Sequence, residues 1–310
     1  MSFQASAFKV VLKMVRKRLF TNTNHLALRK VVDSAASRAP APPAEVDFRS
    51  ETIEGIPCLW VKALGSEPHK IILYFHGGGY IFCSAHTTHK DILWRISQSS
   101  RCRVLAVDYR LAPENPFPAA VDDAVTIYQW LLDQGYKSHH IAVVGDSAGG
   151  GLTYGSVLKI RDMGLPLPAC TVAMSPWTDL AVTGESIITN LKRDTLIPGD
   201  GLSQGAEYYL NGADPRDPYA SPLYGDHRGM PPTLIQVSSD EVLLDDSRRL
   251  AAKYKASGVP VEIEIWQGLP HVWQSLSMFI PEGRAAIKKI GEFLRKHLHV
   301  DDRQIKKIVG

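Results

Sequence analysis

No stretch of this 310-residue chain reaches the roughly 18 consecutive apolar residues that a membrane-spanning helix needs, so no transmembrane segment is expected. Charge of one sign is also scarce. The 35 Lys and Arg against 32 Asp and Glu leave a net charge of only +3, and no basic stretch is interleaved with aromatics, which argues against nucleic acid as a partner. Cysteine is limited to Cys58, Cys83, Cys102 and Cys170, without a C-x-x-C pair or metal-ligand spacing. Reduced thiols in a cytoplasmic protein are the expectation, with Cys83 open to thiol reagents. Gly149-Gly150-Gly151 lacks the Lys-Ser/Thr ending of a phosphate-binding loop, and no G-x-G-x-x-G occurs, so no nucleotide cofactor is expected. His86 and His89 have ligand-like spacing but no third ligand, so no metal is expected either.

What is present begins with an apolar, basic stretch over residues 8–20. Its cations lie inside and after the apolar residues, the reverse of a secretory signal. It reads as a basic amphipathic helix that packs on the protein's own body in preference to a membrane surface. A second helix (24–36) and a Pro-rich linker (39–44) follow. Two alternating runs around Glu54-Gly55 predict an antiparallel hairpin.

From Lys70 the pattern changes. Short apolar runs at 71–75, 103–108, 141–145, 171–174, 233–238 and 261–266 alternate with helical stretches near 86–99, 118–134, 147–163, 245–257 and 282–297. Such alternation predicts a mostly parallel sheet buried on both faces. Between 180 and 230 it breaks, leaving a polar helix near 201–210 and a turn-rich tail. An insertion of that length between strands is expected to form a lid. The predicted organisation is N-terminal cap helices (1–45), a catalytic domain (46–179 and 231–300) and a cap insertion (180–230).

Within this frame Ile141-Ala-Val-Val-Gly145-Asp-Ser147-Ala-Gly149 runs from strand through a sharp turn into a helix. This is G-x-S-x-G in the context that exposes a serine hydroxyl at the top of a sheet, and Ser147 is the candidate nucleophile. A serine needs a base, and the base an orienting carboxylate. In a parallel sheet both come from the carboxyl ends of strands. That rule selects Asp240, just beyond strand 233–238, and His271, in the loop beyond strand 261–266. His76-Gly77-Gly78-Gly79-Tyr80 follows strand 71–75, and the N–H groups of Gly78, Gly79 and Ala148 are the candidate oxyanion hole. His76 is expected to be structural. Tyr80, Phe82, Trp177, Tyr208 and Trp273 are candidate pocket-lining residues.

His76-Gly-Gly-Gly79, Asp108-Tyr-Arg-Leu-Ala-Pro-Glu114, Gly145-Asp-Ser-Ala-Gly149, Asp240 and His271, in this order, resemble the hormone-sensitive-lipase-like branch of the α/β-hydrolases, the bacterial carboxylesterases in particular. The resemblance covers about residues 65–298. It implies an α/β-hydrolase fold, with an eight-stranded, mostly parallel sheet flanked by helices and a helical cap. It also implies hydrolysis of a small-molecule acyl ester through an acyl-enzyme, without a cofactor, and often a homodimer formed at a sheet edge. Glu114 and Asp146 become structural residues near the site. Cys83 and Glu241 depart from the family pattern, the latter standing where Pro often follows the acid, and neither is expected to touch a catalytic atom.

The reading is a serine carboxylesterase for short- to medium-chain acyl esters. An amidase or deacetylase with the same triad is the alternative, and a non-catalytic small-molecule receptor is disfavoured by the presence of His271.

Overall fold

A computed structural model describes residues 1–20 and 24–300. Helices α1 (Phe3–Phe20) and α2 (His25–Ala36) come first, α2 capped by the Asn24 side chain on the Ala27 N–H at 2.8 Å. The hairpin β1 (Asp47–Ile53) and β2 (Ile56–Lys62) leads into β3 (Glu67–Phe75), α3 (Lys90–Ser100), β4 (Cys102–Val107) and α4 (Ala119–Asp133). Then come β5 (Ile141–Asp146), α5 (Ala148–Asp162), β6 (Cys170–Met174), the short α6 (Ser186–Thr189) and α7 (Gly201–Leu210). The chain closes with β7 (Thr233–Ser238), α8 (Leu244–Ala256), β8 (Val261–Trp266) and α9 (Pro281–Leu298).

The strands form one eight-stranded sheet in the order β1-β2-β4-β3-β5-β6-β7-β8, in which only β2 runs against the others. The apolar runs are continuous because both faces are covered. Ile71, Leu73 and Phe75 meet the core under α4, α5 and α8, while Ile72 and Tyr74 meet the core under α3 and α9. Two boundaries differ from expectation. β3 starts at Glu67, with a register irregularity before Ile71. α3 starts at Lys90 because His86 and Thr88 are engaged in loop hydrogen bonds with Asp108 and Ser84.

Between β6 and β7 the described residues hold helices and turns but no strand, as the broken alternation suggested. A small third core joins Ala5 of α1 to Leu269, Trp273, Ile280 and Ala286, so the inner face of α1 packs on the body. Among the described residues no helix is long and apolar enough to cross a membrane.

The register brings the carboxyl ends of the central strands level: Phe75 pairs with Gly145, and Asp146 with Met174. The segments leaving β3, β5, β6, β7 and β8 therefore emerge side by side.

One close contact away from that edge tests the packing. A Cβ on Gly291 of α9 would lie 2.1 Å from Ser99 Oγ and 2.6 Å from the Ser99 carbonyl carbon. Gly291→Ala is expected to destabilise the fold by about 1–3 kcal/mol through overpacking, while kcat stays within about twofold because the strain is remote from the strand ends. Calorimetric unfolding beside steady-state kinetics checks this; an unchanged Tm is the contrary result.

Candidate active site

Ser147 sits between β5 and α5 with φ +53° and ψ −120°, a conformation that non-glycine residues rarely adopt. Such backbone costs on the order of 1–3 kcal/mol. Its N–H donates to the Met174 carbonyl at 2.9 Å, and its own carbonyl accepts from Gly151 at 3.1 Å and Trp177 at 2.9 Å. The turn closes tightly: a Cβ on Gly149 would stand 2.1 Å from the Phe75 carbonyl oxygen. The hydroxyl is thereby held above the sheet.

His271 reaches it from the loop after β8, with Nε2 2.9 Å from Ser147 Oγ. Nδ1 lies 2.6 Å from Glu241 Oε2. Nδ1–H therefore donates to the carboxylate, leaving Nε2 to accept from the serine hydroxyl. Glu241 is fully buried, and its other oxygen accepts from Ser175 Oγ at 2.8 Å and the Ser238 N–H at 2.7 Å. The Ser175 hydroxyl also receives the Val272 N–H at 3.2 Å, tying the base's loop to the same carboxylate.

The expectation that Asp240 orients His271 is thereby corrected. Asp240 Oδ2 instead accepts from Lys9 Nζ of α1 at 2.6 Å, and the same ammonium donates to the Gly268 carbonyl at 2.8 Å. After β7 the chain turns back on itself, with the Glu241 N–H donating to the Ser238 carbonyl at 3.3 Å. That turn directs neighbouring side chains apart: Asp240 towards α1, Glu241 under the strand ends. The extra methylene of Glu lets a residue one position later reach the imidazole. Glu241 was expected to lie away from any reacting group, and that too is corrected.

Burial alone pushes His271 down, but the charge and hydrogen bond of Glu241, helped by Asp194 and Asp146, outweigh it and the net shift is upward. Burial pushes the Glu241 carboxyl up, while His271 and the Ser238 N–H pull against that rise.

The glycine loop after β3 faces the hydroxyl. Gly78 has φ +113°, and a Cβ there would lie 2.0 Å from the Phe82 carbonyl oxygen, so only glycine fits. Among the described residues, no acceptor takes the N–H groups of Gly78, Gly79 or Ala148. Asp146 braces the loop from behind, accepting from Gly77 N–H at 3.1 Å and Tyr74 Oη at 2.7 Å, with His89 Nε2 3.2 Å away. The His76 ring meets the Gly77 carbonyl at 2.7 Å and stacks on Tyr109 at 4.3 Å, the structural place expected of it. Glu114 forms a paired contact with Arg29 of α2 at 2.8 Å, which holds its carboxyl down at about 2.

A cavity of about 290 Å³ opens over Ser147 and His271. Of the five expected lining residues, Phe82 and Trp177 line it. Tyr80, Tyr208 and Trp273 do not. Tyr80 is buried in a 3.8 Å stack with Tyr209, Tyr208 turns its edge to His25, and Trp273 packs on Trp266 in the core beneath α1. The missed walls are aliphatic: Val32 of α2, Leu196, Ile197 and Pro198 before α7, and Leu202 within it. Cys83 also lines the cavity at intermediate burial, and desolvation pushes its thiol up to about 12. His86 and His89 pair with different carboxylates, Asp108 and Asp146, and among the described residues no cluster of three or more candidate ligands could hold a metal.

Comparison with known proteins agrees with this fold. Residues 72–275 match a family described as having the α/β-hydrolase fold. An acetyl-hydrolase of Streptomyces hygroscopicus is 39% identical over 93% of this chain and 95% of its own. A putative acetyl-hydrolase of Mycobacterium tuberculosis is 30% identical over the full length of both. Among solved structures, the esterase EstE5 in a crystal soaked with p-nitrophenyl butyrate is 42% identical, covers 97% of this chain and 100% of its own, and has a TM-score of 0.92. An esterase from the bacterial hormone-sensitive lipase family is 42% identical over 96% of this chain and 99% of its own, with a TM-score of 0.91.

The carboxylate assignment is open to direct test. Glu241→Gln is expected to lower kcat by roughly 10³–10⁴-fold, the loss seen when a triad carboxylate becomes an amide. Asp240→Asn should stay within about threefold, since it breaks only a partly exposed ion pair. Dead Asp240→Asn beside active Glu241→Gln would return the role to Asp240. The base must be neutral to act, so the raised His271 places the acidic limb of kcat/KM above the ordinary imidazole value of about 6.5. Removing the Glu241 charge should move that limb down, as a pH–rate profile of the residual activity of Glu241→Gln would reveal.

Proposed function

We propose, from the premise that this chain belongs to the α/β-hydrolase family and is a carboxylic ester hydrolase, that Ser147, His271 and Glu241 form its catalytic triad. The observation that carries this reading is the unbroken chain from Ser147 Oγ through His271 to the buried Glu241 carboxylate. His271 Nε2 takes the hydroxyl proton as Oγ attacks the ester carbonyl carbon. Glu241 fixes the tautomer and stabilises the imidazolium that forms. The developing oxyanion is received by the N–H groups of Gly78, Gly79 and Ala148, donors already in place and worth about 10²–10³ in rate apiece. The tetrahedral intermediate collapses as His271 returns its proton to the leaving alcohol. Water, deprotonated by the same nitrogen, then attacks the acyl-Ser147 ester and releases the acid.

The cavity supports short- to medium-chain acyl esters. At about 290 Å³ it lies at the lower end of ligand sites, and its upper walls are aliphatic. Val32 and the stretch from Leu196 to Leu202 support reading residues 1–45 and 180–230 as a two-part cap over the site. Four free cysteines suit a reducing, cytoplasmic compartment. β8 ends the sheet and supplies an edge on which a homodimer could form.

The decisive experiment is hydrolysis of p-nitrophenyl esters from acetate to palmitate by wild type and Ser147→Ala. The expected result is a maximum on the short esters and a loss of roughly 10⁴-fold or more in the variant. A maximum at palmitate would overturn the acyl-length reading. Activity that survives Ser147→Ala would overturn the nucleophile.

A further inference from the structure

Helix α1 is apolar on two sides, and the body covers only one. Its inner face is firmly seated. Ala5 is buried against Leu269 and Trp273, Phe8 stacks on Phe279 at 4.9 Å, and Lys9 holds Asp240 and the Gly268 carbonyl. Arg16 donates to the carbonyls of Asp194 and Ile197 at 3.0 and 3.2 Å. The opposite face carries Phe3, Val10, Val11 and Met14, which are 85, 55, 50 and 69% exposed. Phe3, Val10 and Met14 recur at helical spacing of seven and four, so they form one stripe. Scattered exposed apolar residues need no explanation, but an aligned stripe on one helix does.

We propose that this stripe docks α1 on the surface of an anionic lipid assembly. The choice of occupant rests on charge. Besides Lys9 and Arg16, which the body holds, the α1 sequence contains Lys13, Lys17 and Arg18 and no Asp or Glu. Two copies meeting through this face would bring two wholly basic helices together. An anionic lipid surface instead attracts them, by about 1 kcal/mol per cation near the surface. Phe, Val and Met with lysine and arginine on a helix lying flat is the composition of interfacial anchors. The geometry also gives docking a use. Arg16 grips the Ile197 carbonyl, and Ile197 lines the cavity over Ser147, so the cavity sits beside the docked helix. An apolar ester dissolved in the assembly would then have a short path to the nucleophile.

The test is co-sedimentation of the protein with vesicles of phosphatidylcholine alone and with vesicles containing equal parts phosphatidylglycerol. Wild type is expected to sediment with the mixed vesicles, to do so less at high salt, and to ignore phosphatidylcholine alone. Phe3→Ser/Met14→Ser should bind about tenfold or more weakly, with unchanged Tm and unchanged turnover of soluble p-nitrophenyl acetate. Lys13→Glu, which leaves the apolar stripe intact, should also weaken binding to mixed vesicles, and it carries the test if the double variant fails to fold. Wild type that leaves both vesicle types in the supernatant overturns the proposal. So does a wild-type dimer that Phe3→Ser/Met14→Ser converts to monomer in sedimentation equilibrium, because the stripe is then a contact between copies.

Discussion

The hydrogen bond from His271 Nδ1 to Glu241, 2.6 Å long and sealed from solvent, is the contact on which the rest of the site depends. Apolar surroundings destabilise the imidazolium, so burial alone would make His271 a weaker proton acceptor in a transition state. The carboxylate reverses that bias by stabilising the cation. Without donors of its own, however, a buried carboxylate would be driven neutral as well. Ser175 Oγ and the Ser238 N–H satisfy the oxygen that His271 does not use. The proposed triad is therefore a small network, and the ends of β6 and β7 belong to it as much as the three named side chains.

Sheet topology makes that network affordable in conformational terms. Each reacting group leaves a different strand at the same level, and the strands are fixed by apolar burial on both faces. Little chain entropy remains to be lost when the groups meet. The strained φ of Ser147 is tolerated for the same reason: backbone hydrogen bonds to Met174, Gly151 and Trp177 over-determine the turn. Asp146, although buried beside the proposed nucleophile, accepts from the glycine loop and Tyr74 and pairs with His89, which braces the loop of the candidate oxyanion donors.

The sheet was legible because its signal is periodic. Apolar runs bounded by turns locate strands whatever surrounds them, and Ser147 and His271 follow from the rule that sites lie at strand carboxyl ends. Even the insertion showed itself, as a loss of period between Leu180 and Met230. The carboxylate was not legible. Asp240 and Glu241 are adjacent acids beyond the same strand, and their directions are set by a turn whose geometry no pattern announces. The cavity walls escaped for a related reason. Aromatics were chosen by residue type, but Tyr80 and Trp273 are consumed by core stacking, and the walls come from aliphatic residues whose facing is decided by how the insertion folds back.

The two acids that sequence could not tell apart turn out to divide two tasks across one turn. Glu241 faces inward and sets the basicity of His271. Asp240 faces outward and receives Lys9 of α1, whose ammonium also holds the Gly268 carbonyl in the loop that carries the base. The N-terminal helix is thus fastened to both segments that must stay in register for proton transfer, the turn after β7 and the loop after β8. Lys9, which seats α1, is therefore bonded one residue away from the carboxylate that meets His271.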